Sequence, residues 1–177
     1  MQFDDYRISE DIKDNLYRLG FKKPTDIQYK SIPPVLKGND LLAIAQTGTG
    51  KTAAFAIPIL QLLLPKYGAR VSPEVRCIVM APTHELAMQI HEVFSSLAKK
   101  TGLSSLCIHG GVEQDPQIER LKSGVPIVIA TPGRMFDLVS QGHLKLDHVK
   151  ILVLDEADHM FDLGFLKDIQ ELTRKLP

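Results

Sequence analysis

The sequence predicts an α/β domain in which helices flank both faces of a parallel β-sheet. Short apolar runs, rich in β-branched residues, alternate along the chain with segments of helical spacing. The runs are nearly continuous in apolar character, which is typical of strands buried on both faces of a parallel sheet. This alternation indicates parallel neighbours joined by right-handed crossovers. The predicted strands are residues 41–45, 75–81, 105–108, 127–130 and 151–154.

The segments between these strands place apolar residues on one helical face. The clearest is 85–99, whose stripe consists of Leu86, Ile90, Val93, Phe94 and Leu97. A stripe that recurs every three or four residues faces a core. The helices predicted in this part of the chain are residues 55–64, 85–99, 113–122 and 135–139.

The first 40 residues have a different pattern, with two or three helices and no strand. One helical face is formed by Ile8, Ile12, Leu16 and Leu19. Proline lacks the N–H donor that a helix needs, so Pro24, Pro33 and Pro34 are expected to interrupt the helices. We therefore interpret residues 1–38 as a helical cap that belongs to the same domain as residues 39–177.

Composition restricts the class of protein. The chain has 21 basic and 21 acidic residues, so it lacks the strongly basic surface common in nucleic-acid-binding proteins. Binding of phosphate through backbone N–H groups stays open, because these groups carry no formal charge. Cys77 and Cys107 lie in apolar runs and are expected to be reduced core thiols. The acidic N-terminus is unlike a signal peptide and no apolar stretch could span a bilayer, so a cytoplasmic protein is expected.

A glycine-containing loop follows the first predicted strand and precedes a helix. Its sequence is Ala45-Gln46-Thr47-Gly48-Thr49-Gly50-Lys51-Thr52, close to the Walker A pattern except for alanine at the first position. Gly48 and Gly50 allow the backbone to turn its N–H groups inward, where they and the helix N-terminus attract phosphate. Lys51 can reach the β- and γ-phosphates, and the Thr52 hydroxyl can bind Mg²⁺.

An acidic run, Asp155-Glu156-Ala157-Asp158, directly follows the last predicted strand. Open α/β sheets bind their ligands at the carboxyl ends of strands. Asp155 fits a residue that holds Mg²⁺ beside Thr52, and Glu156 fits a residue that orients or deprotonates the attacking water. The alternative is a polar cap for the helix that follows, a role that Asp158 can fill as well.

Residues 20–28, upstream of the loop, contain the elements of an adenine-binding site. A glutamine amide such as that of Gln28 can bond adenine N6 and N7 together, and an aromatic ring such as Phe21 can stack on the base. Gln28 discriminates against guanine only if its amide is held in one orientation, for which Thr25 is a candidate. The residues alone equally allow Phe21 to be core and Gln28 to be a surface residue.

Together these elements resemble the DEAD-box family of RNA-dependent ATPases over essentially the whole chain. Residues 20–28 resemble the family's Q motif, and Phe3 stands where the family has an isolated upstream aromatic. Residues 45–52 resemble its form of Walker A, in which alanine at the first position is usual. Residues 82–87 resemble motif Ia, Gly110-Gly111 the GG element and 131–134 motif Ib, and Asp155 to Asp158 give the family its name.

The resemblance implies a RecA-like P-loop domain that binds ATP and Mg²⁺. Lys51, Asp155 and Glu156 are then the expected catalytic residues, and Thr52 and Asp155 the expected metal ligands. The expected nucleotide-binding residues are Phe21, Lys23, Thr25, Gln28, Gln46, Thr47, Gly48, Thr49, Gly50, Lys51 and Thr52.

The resemblance also implies contacts with the RNA backbone that do not read base identity. Thr83, Gly111 and Gly133 are each predicted where a strand ends and a helix begins, and such sites offer free N–H groups to phosphate. Arg134 is the expected cation, and a structural salt bridge is an alternative role compatible with the first. The residues implied are Pro82, Thr83, Glu85, Gly110, Gly111, Thr131, Pro132, Gly133 and Arg134.

Two departures from the family pattern carry expectations. The family usually has arginine where this chain has His84, and a neutral histidine offers fewer donors, so weaker RNA affinity that improves toward pH 6 is expected. A second RecA-like domain, which in the family supplies the arginine finger and half of the RNA groove, does not occur in these 177 residues. The isolated chain is therefore expected to be a monomer that binds nucleotide, hydrolyses it very slowly and unwinds nothing.

Other functions were weighed against an ATP-driven RNA helicase. A GTPase should contain an Asn/Thr-Lys-x-Asp base reader, which the sequence lacks. A DNA-specific translocase would not require the 2′-OH group that distinguishes RNA from DNA, so competition between RNA and DNA strands separates it from an RNA helicase. A non-catalytic RNA clamp would lose no function when Glu156 is replaced by glutamine. The identity of the RNA, the pathway and the protein partners do not follow from the sequence.

Overall fold

The computed structural model describes residues 1–65 and 70–177, which form two compact units. The first unit comprises the described residues up to 65 together with 92–103, and the second comprises 70–91 together with 104–177. The sequence-based division at residue 38 stays a prediction. No helix in the described ranges is long and apolar enough to cross a membrane.

The first unit is helical. After a 3-10 turn at Phe3–Asp5 come α1 (Glu10–Arg18), α2 (Asp26–Leu36) and α3 (Lys51–Leu63). Helix α1 begins where the Ser9 hydroxyl accepts a bond from the N–H of Ile12, and α2 begins at a capping box. As the spacing predicts, Ile8, Ile12 and Leu16 are buried, whereas Leu19 is exposed.

The prediction that Pro33 and Pro34 interrupt the helix was wrong, because α2 continues through both to Leu36. A proline removes one helical donor and crowds the preceding turn, so the other contacts of α2 have to offset this cost. The N–H groups of Lys37 and Asn39 still bond to the Pro34 carbonyl and close the helix.

The predicted strand at 41–45 is also absent. Residues 41–46 have no regular secondary structure, and Leu42 and Ile44 are 91% and 95% exposed. Apolar composition favours a strand, but a strand forms only where a neighbour pairs with its backbone N–H and C=O groups. The four-stranded sheet of the described residues does not include this segment.

Helix α4 (His84–Leu97) contributes its last turns to the first unit. The buried Asn15 amide donates bonds to the carbonyls of Leu97 and Lys99, at 2.9 and 2.7 Å. These bonds satisfy carbonyl groups that the end of a helix otherwise leaves without a partner.

The second unit contains a parallel sheet of β1 (Cys77–Met80), β2 (Ser105–Ile108), β3 (Ile127–Ala130) and β4 (Ile151–Leu154). The strand order is β2-β3-β1-β4. The helices that follow β2, β3 and β4 are α5 (Asp115–Lys122), α6 (Pro132–Ser140), α7 (Ala157–Asp162) and α8 (Leu166–Lys175). The prediction of a parallel sheet flanked by helices is confirmed, as are four of the five strands and the four central helices.

The sheet is buried on both faces at its centre. Ile78 and Met80 of β1 pack in a cluster with residues of α6 and α8, including Leu138 and Leu172. Cys77 and Val79 point to the opposite face because side chains alternate along a strand, and they are equally inaccessible. This burial explains why the strands read as continuous apolar runs rather than as alternating ones.

Both cysteines are free thiols, with Cys77 buried and Cys107 partly buried. Burial disfavours the charged thiolate and raises the pKa of Cys107 to about 11, and it raises the pKa of Cys77 as well. Both thiols are therefore protonated and poorly nucleophilic at neutral pH.

The four strands end at the same level. Ile108, Ala130, Met80 and Leu154 are successive partners across the sheet. The ladder continues for one residue, since the N–H groups of Thr131, Ala81 and Asp155 donate to the carbonyls of Ile108, Ala130 and Met80 at 2.9–3.0 Å. The loops after all four strands consequently leave the sheet along one edge.

Candidate functional site

The glycine loop of the first unit forms a tight turn ahead of α3. Gly48 and Gly50 have φ of +83° and +82°, a left-handed conformation that favours glycine. The Thr49 hydroxyl donates to the Gln46 carbonyl at 2.7 Å and closes the turn. Gly50 is the N-cap of α3 and supplies no side-chain bond, and the N–H groups of the first helical turn point toward the positive end of the helix dipole, where anions are stabilised.

The residues that the sequence predicts for phosphate binding are brought together in this loop. Gln46, Thr47 and Gly48 are exposed in the turn, and Thr49 is partly buried. Lys51 and Thr52 form the first helical positions of α3 and are partly buried. The loop thus combines backbone N–H groups, a cation and a hydroxyl at the positive end of a helix dipole.

Gln28 is tied to the glycine loop. Its side-chain oxygen accepts the Thr25 N–H and its side-chain nitrogen donates to the Gly50 carbonyl, both at 3.0 Å. The residue is 1% exposed. The expectation that the Thr25 side of the loop holds the amide in one orientation is confirmed, whereas the bond to Gly50 was not foreseen, since nothing in the sequence relates residues 22 positions apart.

Phe21 is partly buried and meets the edge of the Phe3 ring, with centroids 6.1 Å apart and an interplanar angle of 69°. Phe3 is 5% exposed, so the upstream aromatic is a core residue that supports Phe21. Lys23 is exposed in the same loop. Adenine stacking by Phe21 stays a prediction.

The acidic run lies in the second unit, at the carboxyl end of β4. Asp155 is 5% exposed, and its N–H donates to the Met80 carbonyl, which fixes the start of the run. Glu156 is the N-cap of α7 with φ of +51°, a strained conformation for a residue with a side chain. Its carboxylate lies 3.4 Å from His159 Nδ1, a neighbour that helical i,i+3 spacing could have indicated. Asp158 is exposed in the first turn of α7.

The nine residues implied in RNA contacts follow three adjacent strands, in the spatial order β2, β3, β1. Thr83, Glu85, Gly110, Gly111 and Gly133 are exposed, Thr131 and Arg134 are partly buried, and Pro82 and Pro132 are buried. The sheet thus brings three sequence-distant motifs to one edge of the second unit.

The DEAD/DEAH box helicase profile matches residues 25–177 of this chain. The chain belongs to the DEAD/DEAH box helicase family. It is 42% identical over 176 residues to the ATP-dependent RNA helicase CshA of Listeria monocytogenes, with 99% of this chain and 33% of that protein covered. It is 43% identical over 178 residues to the ATP-dependent RNA helicase RhlB of Vibrio cholerae, with 99% and 41% covered.

A solved structure of a DEAD box protein from the hyperthermophile Methanococcus jannaschii has a TM-score of 0.91 and 38% identity, covering 100% of this chain and 47% of that one. The match confirms the fold expected from the family resemblance. The chain spans well under half the length of the curated relatives described above.

In this DEAD-box domain Arg134 organises the loop after β2. Its guanidinium donates to the Val112 carbonyl at 2.7 Å and to the Gln117 side chain at 3.0 Å. The Gln117 amide in turn donates to the His109 carbonyl at 3.2 Å. These partners are neutral oxygens rather than the carboxylate of a salt bridge, so Arg134 acts structurally through hydrogen bonds.

Two histidines meet at the same edge. The rings of His84 and His109 have centroids 5.4 Å apart and are tilted by 31°. His109 Nδ1 lies 2.8 Å from the Gly110 carbonyl, and because a carbonyl oxygen only accepts, Nδ1 is the donor in this hydrogen bond. His109 was not among the predicted site residues, because a lone histidine at a strand end has no distinctive sequence pattern.

Proposed function

We propose that this chain is the ATP-binding domain of an ATP-dependent RNA helicase that couples ATP hydrolysis to RNA unwinding or RNP remodelling in the cytoplasm. The observation that carries the proposal is the turn of residues 46–50 at the uncapped N-terminus of α3, with Lys51 and Thr52 in register. Family membership and the names of the relatives support the choice of ATP and RNA.

Phosphate binding falls to the glycine loop in this proposal. The N–H groups of the loop and of the first turn of α3 hold the β- and γ-phosphates, and the Lys51 ammonium neutralises their charge. Adenine recognition falls to Phe21, Lys23, Thr25 and Gln28. The bonds to Gly50 and Thr25 use one N–H and one lone pair of the Gln28 amide, so the second N–H and the second lone pair are left for a base. Gln28 is 1% exposed, so a base has to reach it through the surrounding loop.

The ligands proposed for Mg²⁺ are those that the family resemblance implies, the Thr52 hydroxyl and the Asp155 carboxylate. No group of three or more His, Cys, Asp or Glu in the described ranges could hold a metal alone. Mg²⁺ is ordinarily held by one or two protein oxygens together with phosphates and water, so two oxygen donors fit this ion. When bound, Mg²⁺ neutralises charge on the phosphates.

Hydrolysis requires a group that orients water, and Glu156 is the candidate. Its carboxylate is about a third exposed, and its fixed position at the start of α7 limits the directions in which it can act. The catalytic set proposed is therefore Lys51, Asp155 and Glu156, completed by a second RecA-like domain of the same protein.

RNA binding is proposed for the edge where β1, β2 and β3 end. Exposed backbone at Thr83, Gly111 and Gly133 can donate N–H groups to phosphates, which is compatible with a chain of zero formal net charge. Such contacts are independent of base identity, so the proposed substrate is RNA of any sequence.

The proposal is tested by nucleotide binding to the isolated chain. We expect Lys51→Ala to weaken ATP binding by about 10- to 100-fold, because charge-assisted bonds to phosphate are lost. Titration with a fluorescent ATP analogue measures the dissociation constant, with Lys145→Ala, which removes an exposed lysine outside the loop, as the matched control. Equal ATP affinity in the two variants, or displacement of the analogue by GTP as readily as by ATP, would contradict the proposal.

His84→Arg gives a second test, directed at RNA. We expect tighter RNA binding, by about tenfold, because a guanidinium is always charged and offers five donors. Fluorescence anisotropy with single-stranded RNA in the protein with its second domain gives both binding curves, and an unchanged affinity after the substitution would refute the role of His84.

A further inference from the structure

A cavity of about 230 Å³ lies between α6 and α8, within the second unit. Its apolar wall is formed by Phe136, Val139 and Leu172. All three also pack in the hydrophobic cluster beneath, so the wall is part of the rigid core rather than of a mobile loop. None of the residues assigned to nucleotide or RNA lines this cavity.

The polar wall of the cavity is acidic. Asp137, Asp168 and Glu171 line it together with a single cation, Lys175. Lys175 is bonded to Glu171 at 2.9 Å, and this bond lowers the pKa of the Glu171 carboxyl. Asp137 and Asp168 have no ion pair or side-chain hydrogen bond with any other described residue. The lining thus carries an excess of two negative charges in a chain whose formal net charge is zero.

We propose that this cavity receives an arginine side chain presented by a partner protein. Small-molecule sites usually enclose about 300–1,000 Å³, so this cavity is smaller than a ligand pocket and suits one long side chain. The arginine stem is apolar and can cover Phe136 and Val139, while its planar guanidinium bonds the carboxylates of Asp137 and Asp168.

Other occupants fit the cavity less well. Lysine carries a point charge and lacks the planar fork that bonds two carboxylates together. RNA is disfavoured because its phosphates would be repelled by the acidic wall. The cavity lies along the C-terminal half of α6, whose first residues follow β3 at the proposed RNA-binding edge, so a partner seated here contacts the same helix from its other end.

The test uses the 177-residue chain and a short peptide, acetyl-Gly-Leu-Arg-Leu-Gly-amide. Amide shifts of the ¹⁵N-labelled chain are followed during titration with this peptide and with the same peptide carrying citrulline, which keeps the shape and loses the charge. We expect shifts concentrated at residues 136–140 and 168–175 with the arginine peptide, and at least about tenfold weaker binding of the citrulline peptide.

Two variants test separately how the carboxylate charges and the volume of the cavity contribute to peptide binding. We expect Asp137→Asn with Asp168→Asn to weaken the arginine peptide about tenfold, and Ser140→Trp to weaken it by filling the cavity without removing a charge. Asp11→Asn with Asp14→Asn removes two exposed carboxylates elsewhere and should change nothing. Equal binding of the two peptides, shifts spread over the surface, or full binding by the cavity variants would overturn the proposal.

Discussion

Replacing Glu156 by glutamine is expected to lower RNA-stimulated ATP turnover by about 10²–10⁴-fold and to leave nucleotide binding intact. Glutamine keeps the shape of glutamate, so the N-cap of α7 and its φ of +51° are retained. What is lost is the negative charge that, in the proposed function, orients water and accepts its proton. Because the phosphate contacts are assigned to the glycine loop, affinity for ATP should stay unchanged while turnover falls.

The measurement belongs in the protein with its second domain, because the isolated chain is expected to hydrolyse ATP very slowly. Single-turnover hydrolysis at saturating RNA gives the chemical step, and titration with a fluorescent analogue gives affinity. Asp158→Asn is the matched control, since it removes an exposed carboxylate from the same acidic run. Unchanged turnover in Glu156→Gln would favour a non-catalytic RNA clamp, and equal losses in both variants would point to the charge of the run rather than to Glu156.

The sheet could be predicted from the sequence because its central strands are buried on both faces. Residues such as Val79 and Ile129 have no exposed side to accept a polar neighbour, so the strand sequence contains no alternation. The strand-end residues were predictable for a related reason. Parallel strands place all their carboxyl ends at one edge, so any motif that follows a strand must lie there.

The segment 41–45 was wrongly predicted to be a strand. Its composition is that of a strand, yet Leu42 and Ile44 are almost fully exposed. Strand formation depends on a backbone partner, and the partner is chosen by tertiary structure rather than by the segment itself. The helix through Pro33 and Pro34 is a similar case, because the local cost of proline was outweighed by the remaining contacts of α2.

Side-chain partners within the site were predictable only over short distances. The capping of α2 by Thr25 and Gln28 follows from residues three apart. The bonds from Arg134 to Val112 and from Gln28 to Gly50 join residues 22 positions apart in each case, and no sequence pattern encodes them. The sequence therefore indicated candidate site residues, and the structure added hydrogen bonds that join some of them.

The contact between Gln28 and Gly50 leads to the second large effect, that of Gly50→Ala on stability. A Cβ at residue 50 would lie 2.5 Å from Gln28 Nε2 and 3.2 Å from Thr25 Oγ1. Alanine also has to adopt a φ of +82°, at a cost of about 1–2 kcal/mol. Displacing the buried Gln28 amide breaks its bonds to Gly50 and Thr25, each worth about 1 kcal/mol. We expect the free energy of unfolding to fall by about 3 kcal/mol.

Gly48→Ala is the matched control, because Gly48 has φ of +83° but no atom within 4 Å of an added Cβ. It should cost only the backbone strain, about 1–2 kcal/mol. Urea unfolding of both variants, repeated in a Gln28→Ala background, separates strain from contact. In that background the excess cost of Gly50→Ala over Gly48→Ala should disappear, which would make the excess a coupling energy between the two motifs. Equal costs for both glycines in the wild-type background would mean that Gln28 moves aside freely, and that its bond to the loop contributes little to the stability of the domain.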